Sequence, residues 1–158
     1  MAEEINVAQG LSREAKYEEL MPQLQSLIAG EPDFIANMAN ISAALKEVFG
    51  FFWVGFYVVK GGQLVLAPFQ GAVACTRIDF GKGVCGSAWK EGRTIVVPDV
   101  DAFPGHIACS SLSRSEIVVP IFSGEEIVGV LDIDSSQKND FDEIDAKFLR
   151  KIVGFLKF

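Results

Sequence analysis

The sequence is poor in basic residues and has no long hydrophobic run, and both shortages narrow the range of possible functions. Its 158 residues include 14 Lys and Arg against 21 Asp and Glu, which gives a formal net charge of −7. Nucleic-acid binding requires clustered basic residues along the phosphates, and here they are scattered, so we expect no nucleic-acid partner. No apolar run approaches the roughly 20 residues that span a bilayer, so we expect no membrane insertion.

The N-terminus also lacks the basic and apolar segments of a secretory signal, because the chain begins with the acidic run MAEEI. We therefore expect a cytoplasmic protein.

Cysteine is scarce as well. The three thiols are an odd number, and a reducing compartment does not favour a framework of structural disulfides. Any disulfide in this chain is therefore expected to be transient and catalytic.

What the sequence does contain is typical of one globular domain. Hydrophobic residues make up 49% and charged residues 22%, and this length is enough to bury a sizeable core. We expect a single domain over residues 1–158, with residues 1–14 as a loosely ordered N-terminal extension.

Capping residues and hydrophobic periodicity predict two helices before residue 51. Ser12 is a typical N-cap for a helix that runs to about Ile28, and Asp33 for a second helix that ends at Gly50. The predicted apolar stripe of the second helix comprises Phe34, Ile35, Met38, Ile41, Leu45 and Val48.

Mostly antiparallel strands are predicted after these helices. The expected elements are a hairpin at 51–59 and 64–66, a strand at 77–80, a short helix at 86–90, strands at 94–97, 116–122 and 127–133, and a final helix capped by Asp142. Two helices, a run of strands and a closing helix predict an α+β fold with helices mainly on one face of a central sheet.

A long predicted loop, residues 99–115, contains one of the three cysteines. Loops of this length inside a compact domain are commonly functional. Cys109 lies near His106 and Arg114, and cationic neighbours favour the nucleophilic thiolate. A buried, inert thiol is the ordinary fate of a single cysteine, but three cysteines in or beside the irregular part of the chain favour reactivity.

Metal binding and a cysteine hydrolase are weaker alternatives. Cys75, Cys85 and Cys109 are too far apart in sequence to form the close ligand pairs of structural zinc sites. His106 and Cys109 could form one such pair, but there is no second, so we expect no metal. A hydrolase would need a carboxylate that orients the histidine, and none can be assigned to His106.

Three acidic residues are candidates for binding and proton transfer. Asp132 and Asp134 lie two residues apart on a predicted strand, so both point to the same face. They are either a solvated strand end or a carboxylate pair that holds a ligand ammonium group or shares a proton. Glu116, at the start of the preceding strand, is either exposed or, in an apolar pocket, a proton donor with a raised pKa.

Trp53 and Tyr57 lie four residues apart and therefore share a face of the first predicted strand. Packing in the core is the more common role of such a pair. As the wall of a pocket, the two rings would suit a thioether or sulfonium-like group, because sulfur packs well against aromatic rings.

Six short motifs together resemble those of the free methionine-R-sulfoxide reductases, a family of GAF domains. They are WVGFY (53–57), GKGVCGSA (81–88), TIVVPDV (94–100), HIACS (106–110), SEIVVP (115–120) and LDIDS (131–135). The similarity extends over roughly residues 15 to 157. The strand pattern alone is typical of GAF domains in general, whereas three cysteines at this spacing, with the glutamate and both aspartates, are much more specific.

The resemblance implies a GAF-like antiparallel sheet with helices mainly on one face and a ligand pocket under loops on the other. It also implies a homodimer. Cys109 matches the attacking cysteine of the family, and Cys75 and Cys85 match the candidates for disulfide formation. Glu116, Asp132 and Asp134 match the family's carboxylates that bind the substrate and assist protonation. Trp53 and Tyr57 match the aromatic residues that surround the substrate methyl group.

The activity implied is reduction of free methionine-R-sulfoxide under oxidative stress, without a bound cofactor. The Cys109 thiolate would attack the sulfoxide sulfur while an acid protonates the oxygen, leaving a sulfenic acid that condenses with Cys75, our first choice, or Cys85. Thioredoxin, with its NADPH-dependent reductase, would then reduce the disulfide. The sequence leaves open whether Glu116 or an aspartate supplies the proton.

The competing hypothesis is a non-catalytic GAF sensor that binds a small ligand or responds to redox state. Sensor domains of this kind are generally joined to output domains, for which 158 residues leave no room. A cyclic nucleotide would require phosphate-binding groups, whereas the candidate pocket is acidic. The enzyme is therefore the favoured prediction.

Overall fold

The computed structural model describes residues 3–158, so the first two residues of the acidic N-terminus lie outside the described part of the chain. Residues 3–12 contain no helix or strand. They nevertheless lie against the domain, because Ile5 and Val7 pack on the core. Asn6 and Gln23 also exchange two hydrogen bonds of 2.8 Å. The chain then enters the first helix.

Helices and strands follow in the predicted order. They are α1 (Arg13–Ala29), α2 (Phe34–Phe49), β1 (Trp53–Lys60), β2 (Gln63–Gln70), β3 (Arg77–Asp79), α3 (Gly83–Glu91), β4 (Ile95–Val97), β5 (Ser115–Ser123), β6 (Glu126–Ser135) and α4 (Glu143–Val153). The six strands form one sheet in the order β3-β2-β1-β6-β5-β4, with antiparallel pairing. The α+β prediction is confirmed, and the long predicted loop contains one short 3₁₀ turn, Val100–Ala102.

The predicted caps begin the helices as expected. The Ser12 side chain accepts a hydrogen bond from the Ala15 amide, and Asp33 accepts from two amides of α2. Gly50 ends α2 in the left-handed conformation at a φ of 68°, which glycine adopts without strain. The prediction for Ile35 was wrong: its side chain is 54% exposed, because the buried stripe of α2 begins further along the helix.

The alternation of side chains along the strands separates two cores. The larger core lies between the sheet and α1, α2 and α4 and includes Val54 and Phe56 of β1. The smaller core lies on the other face, under α3, and includes Trp53 and Tyr57 of the same strand. Successive strand residues point to opposite faces. The predicted site residues therefore lie away from the three large helices.

A buried polar network fixes the ends of β5 and β6. Ser135 donates a 2.5 Å hydrogen bond to Asp140, and Asp140 accepts a 2.7 Å bond from Arg13. Arg13 also bonds Asp145, which accepts a 2.6 Å hydrogen bond from Tyr17. This network links α1 and α4 to the strand ends that hold Glu116 and the two aspartates. No helix among residues 3–158 is long and apolar enough to span a membrane.

Candidate active site

The pairing of β5 with β6 brings the three predicted carboxylates together on one face of the sheet. Glu116 is the direct cross-strand partner of Asp134, and Asp132 lies two residues from Asp134, so all three point to the same side. Glu116 is 6% exposed and Asp132 is 7% exposed. The alternative interpretation as a solvated strand end is therefore wrong.

A cavity on this face, beneath the 99–115 loop, collects nearly all the residues proposed from the sequence. Its lining includes Trp53, Tyr57, Cys85, Cys109, Glu116, Asp132 and Asp134. The remaining proposed residue, Cys75, does not line the cavity itself. It is held at the cavity by a covalent bond to a lining residue, because a disulfide joins Cys75 to Cys109.

The three cysteines are in two different states. The disulfide between Cys75 and Cys109 is the pairing expected first, and it links the segment after β2 to the 99–115 loop. Of the two bonded cysteines, Cys109 is exposed and Cys75 is partly buried. Cys85, in the first turn of α3, is a free thiol that is 4% exposed. Of the three sulfur atoms, the Cys85 sulfur is the one enclosed with the carboxylates.

The aromatic pair forms one wall of the cavity and holds the segment that carries Cys75. The indole nitrogen of Trp53 donates a 2.9 Å hydrogen bond to the Ala72 carbonyl. The Tyr57 hydroxyl donates a 2.8 Å bond to the Cys75 carbonyl. The ring centroids are 6.2 Å apart. Each polar tip is therefore satisfied. Trp53 also stacks on Phe69, with ring centroids 5.2 Å apart, and both Trp53 and Tyr57 line the cavity.

Burial gives the carboxyl groups unusual proton affinities. Desolvation, with a further contribution from Asp134, raises the pKa of Glu116 to about 8. Desolvation also raises the pKa values of Asp132 and Asp134 well above their usual range, and in each case a neighbouring carboxylate adds to the effect. Asp132 Oδ1 is buried with no hydrogen-bond partner among the described residues. The cavity is thus suited to a cation that can compensate several acidic groups.

His106 faces this cluster and was not among the residues proposed for the site. Its Nε2 atom lies 3.5 Å from Glu116 Oε1, and both side chains are largely buried. A signal for it exists in the sequence, since His106 is the chain's single histidine and lies three residues before Cys109. It could not show that the 99–115 loop folds back over β5.

One group of side chains has the composition and closeness of a metal site. The ligand atoms of Cys85, Glu116 and Asp132 all lie within 4.8 Å of one another, and all three residues are buried. Ligand spacing along the sequence could not reveal this set, because it combines α3, β5 and β6.

The raised pKa of Glu116 predicts that stability falls as the pH rises. The folded protein retains a proton between the ordinary carboxyl pKa of 4.5 and about 8, whereas the unfolded chain releases it above 4.5. This stabilisation is complete below pH 4.5 and is lost as the pH approaches 8. For one carboxyl group, the free energy of unfolding falls by up to about 1.4 kcal/mol per pH unit across this range.

Urea denaturation of the wild type and Glu116→Gln at several pH values between 5 and 8 tests this prediction. Glutamine keeps the shape of the side chain but does not titrate, so we expect a shallower fall in the free energy of unfolding for the variant. The difference between the two slopes measures the contribution of Glu116 to the pH dependence of stability. It separates that contribution from the general charge repulsion within an acidic protein. Parallel slopes would contradict the prediction.

Comparisons with known proteins show which family the chain is similar to. The GAF domain family model matches residues 36–156. The chain is 58% identical over 157 residues to GAF domain-containing protein A of Dictyostelium discoideum, covering 99% of both chains. It is 40% identical over 164 residues to free methionine-R-sulfoxide reductase of Saccharomyces cerevisiae, covering 98% of this chain and 91% of the relative.

A solved structure extends the likeness to three dimensions. The crystal structure of free methionine-R-sulfoxide reductase from Neisseria meningitidis, in complex with its substrate, has a TM-score of 0.95 and 54% sequence identity. The superposition covers 98% of this chain and 93% of that one. The expected GAF fold is therefore confirmed.

Proposed function

The chain belongs to the free methionine-R-sulfoxide reductases, a family built on the GAF domain, and we propose that it reduces the free amino acid in the cavity under the 99–115 loop. One observation carries the proposal. Three carboxyl groups, of which Glu116 and Asp132 are buried, line the same cavity as the disulfide-bonded Cys109, and one Asp132 oxygen has no hydrogen-bond partner among the described residues. That arrangement suits a small cationic substrate that oxidises a thiol.

The substrate ammonium group is proposed to bind Asp132 and Asp134. These carboxyl groups lie on one strand face, and desolvation penalises their ionised forms. An ammonium group would offset that cost and provide the partner that Asp132 Oδ1 lacks. A peptide-bound methionine sulfoxide has no free ammonium at this position, so the same pair would select the free amino acid.

The methyl and sulfur end of the substrate is proposed to lie against Trp53 and Tyr57. Both rings line the cavity, and their polar atoms already have hydrogen-bond partners on the segment that follows β2. Sulfur packs favourably near aromatic rings. Binding between the carboxylates and this wall would orient the sulfoxide sulfur toward Cys109.

The proposed reaction transfers the sulfoxide oxygen to Cys109. The thiolate attacks the sulfoxide sulfur and forms a sulfur–sulfur bond, while Glu116 donates its proton to the oxygen. The hydroxyl then passes to the Cys109 sulfur as the bonds from the substrate sulfur to oxygen and to Cys109 break, and methionine leaves. Methionine sulfoxide is reduced, and Cys109 is oxidised to a sulfenic acid. The Cys75 thiol then attacks this sulfenic sulfur and displaces water, which gives the Cys75–Cys109 disulfide.

The partners of this cycle are proposals as well. The disulfide is regenerated by exchange with an external dithiol, and thioredoxin with its NADPH-dependent reductase is the proposed source of electrons. The exposure of Cys109 supports attack from solvent. A cytoplasmic location, expected from the sequence, and a homodimer, implied by the resemblance, are proposed as well, and the cycle needs no bound cofactor.

A coupled turnover assay tests the function. Thioredoxin, its reductase and NADPH are supplied with free methionine-R-sulfoxide, the S epimer, or an N-acetylated methionine-R-sulfoxide that lacks the ammonium charge. We expect turnover of the free R epimer. Loss of one paired, desolvated charge costs on the order of 2 kcal/mol, so kcat/KM for the acetylated compound should fall about thirtyfold or more.

The matched compounds separate the competing outcomes. Equal turnover of the free and acetylated R epimers would contradict ammonium recognition by the aspartates. Binding of methionine sulfoxide without any formation of methionine, with either thioredoxin or a chemical dithiol as reductant, would contradict the enzyme and favour the sensor.

A further inference from the structure

Cys85 is a buried thiol that the proposed reaction cycle does not use, since Cys75 and Cys109 already form the disulfide. It is enclosed with acidic groups at the base of the cavity. Its sulfur and carboxylate oxygens of Glu116 and Asp132 lie within 4.8 Å of one another. Asp132 Oδ1, which is buried in this cluster, has no hydrogen-bond partner among the described residues. This environment favours the binding of a cation that also has affinity for sulfur.

We propose that Cys85, Glu116 and Asp132 form a site for a single Zn²⁺ ion. His106 is assigned as the fourth ligand: its Nε2 atom lies 3.5 Å from Glu116 Oε1 but outside the group of three, so its imidazole must move toward Cys85 and Asp132. The ion occupies the position of the substrate ammonium group, so zinc and the amino acid exclude each other. This exclusion rests on the proposed function, whereas zinc binding itself does not.

The donor set determines which metal the site accepts. Zinc binds thiolate sulfur at about 2.3 Å and imidazole nitrogen or carboxylate oxygen at about 2.0–2.2 Å, usually with four ligands. Two ligands on one tetrahedral zinc ion stand about 3.3–3.8 Å apart, so the side chains must move inward by up to about 1 Å or more to complete the site. Mg²⁺ and Ca²⁺ prefer oxygen ligands throughout, and a thiolate disfavours them.

Charge and protons balance on binding. Cys85 as a thiol and Glu116 and Asp132 as carboxylic acids must each lose a proton to bind zinc, so these protons pass to solvent as the three bonds to zinc form. The two positive charges of zinc compensate the carboxylates in place of the single charge of an ammonium group. No electron is transferred, and the Cys75–Cys109 disulfide remains intact.

The disulfide form of the full chain allows a direct test. It leaves Cys85 as the single free thiol of the three cysteines, so a thiolate–metal bond can come only from this residue. We expect one Zn²⁺ per chain in competition with a chromogenic chelator. Co²⁺ should produce the near-ultraviolet charge-transfer band of a cobalt–thiolate bond. Cys85→Ser should lose that band and bind Zn²⁺ about tenfold or more weakly.

Glu125→Gln is the matched control, since Glu125 is an exposed acid in the β5–β6 turn. Its zinc affinity should equal that of the wild type. Absence of the cobalt–thiolate band in the wild type would overturn the site, whether or not Cys85→Ser folds. Equal Zn²⁺ affinity of the wild type and a folded Cys85→Ser would do the same.

Free methionine distinguishes this proposal from the enzymatic one. We expect saturating methionine to weaken the apparent zinc affinity, and an unchanged affinity would overturn mutual exclusion. Zinc binding without any sulfoxide turnover by the metal-free, reduced protein would refute the proposed function and leave the metal site standing. Sulfoxide turnover by a protein that does not bind zinc would refute the metal site and leave the proposed function standing.

Discussion

Cys109→Ser is expected to reduce the turnover of free methionine-R-sulfoxide by at least about a thousandfold, because a serine hydroxyl cannot replace the thiolate as the attacking group. Cys109 lines the cavity that contains the carboxyl groups and is bonded to Cys75 in the structure. The measurement is NADPH oxidation in the thioredoxin-coupled assay, with methionine quantified as the product. Binding of methionine should be retained, which separates loss of chemistry from loss of the site.

Cys75→Ser is the matched variant, since it removes the other sulfur of the same disulfide. It keeps the proposed nucleophile and should therefore release about one methionine per chain in a single turnover and then stop. Cys109 should at that point react as a sulfenic acid with a dimedone-type probe. If Cys75→Ser failed in this first turnover while Cys109→Ser completed it, the two roles would be reversed.

Much of the fold follows from local signals in the sequence. Ser12, Asp33 and Asp142 could be recognised as helix caps because each precedes an apolar periodic segment, and all three accept the expected hydrogen bonds. The wrong assignment of Ile35 shows the limit of periodicity. Its spacing fits the apolar stripe, but burial also depends on how far the sheet extends beneath the helix.

Strand periodicity by itself predicted only the part of the candidate site that lies on a single strand, and the family resemblance supplied the other residues. Asp132 and Asp134 had to share a face because side chains alternate along a strand. Their proximity to Glu116 depends on the register between β5 and β6, in which Glu116 pairs with Asp134. That register is set by the tight turn between Ser123 and Glu126 together with an irregularity between Ile121 and Phe122, so the turn alone does not predict it.

The states of the three cysteines were harder to predict because they depend on loops. Cys75 and Cys109 are 34 residues apart, and neither lies in a helix or strand whose geometry would fix its position. The contact between His106 and Glu116 depends on the same 99–115 loop folding over the sheet. Sequence spacing therefore identified the chemical groups but not their pairing.

Glu116→Gln is expected to lower kcat/KM for free methionine-R-sulfoxide by about a hundredfold to ten-thousandfold, the usual contribution of a positioned proton donor. The structure supports Glu116 as that donor because burial raises its pKa to about 8, so the group still carries its proton at neutral pH. A glutamine amide can donate a hydrogen bond to the sulfoxide oxygen but cannot transfer a proton to it. The effect should therefore fall mainly on kcat.

The pH profile of kcat/KM, which reports the ionisation of the free enzyme, provides the decisive measurement. A general acid works in its protonated form, so the wild-type rate should fall as the pH rises through about 8, and Glu116→Gln should lack this fall. Asp134→Asn is the matched variant: it removes an ammonium partner and should raise KM more than it lowers kcat. If Glu116→Gln kept the alkaline fall and Asp134→Asn lost it, the proton would come from the aspartate.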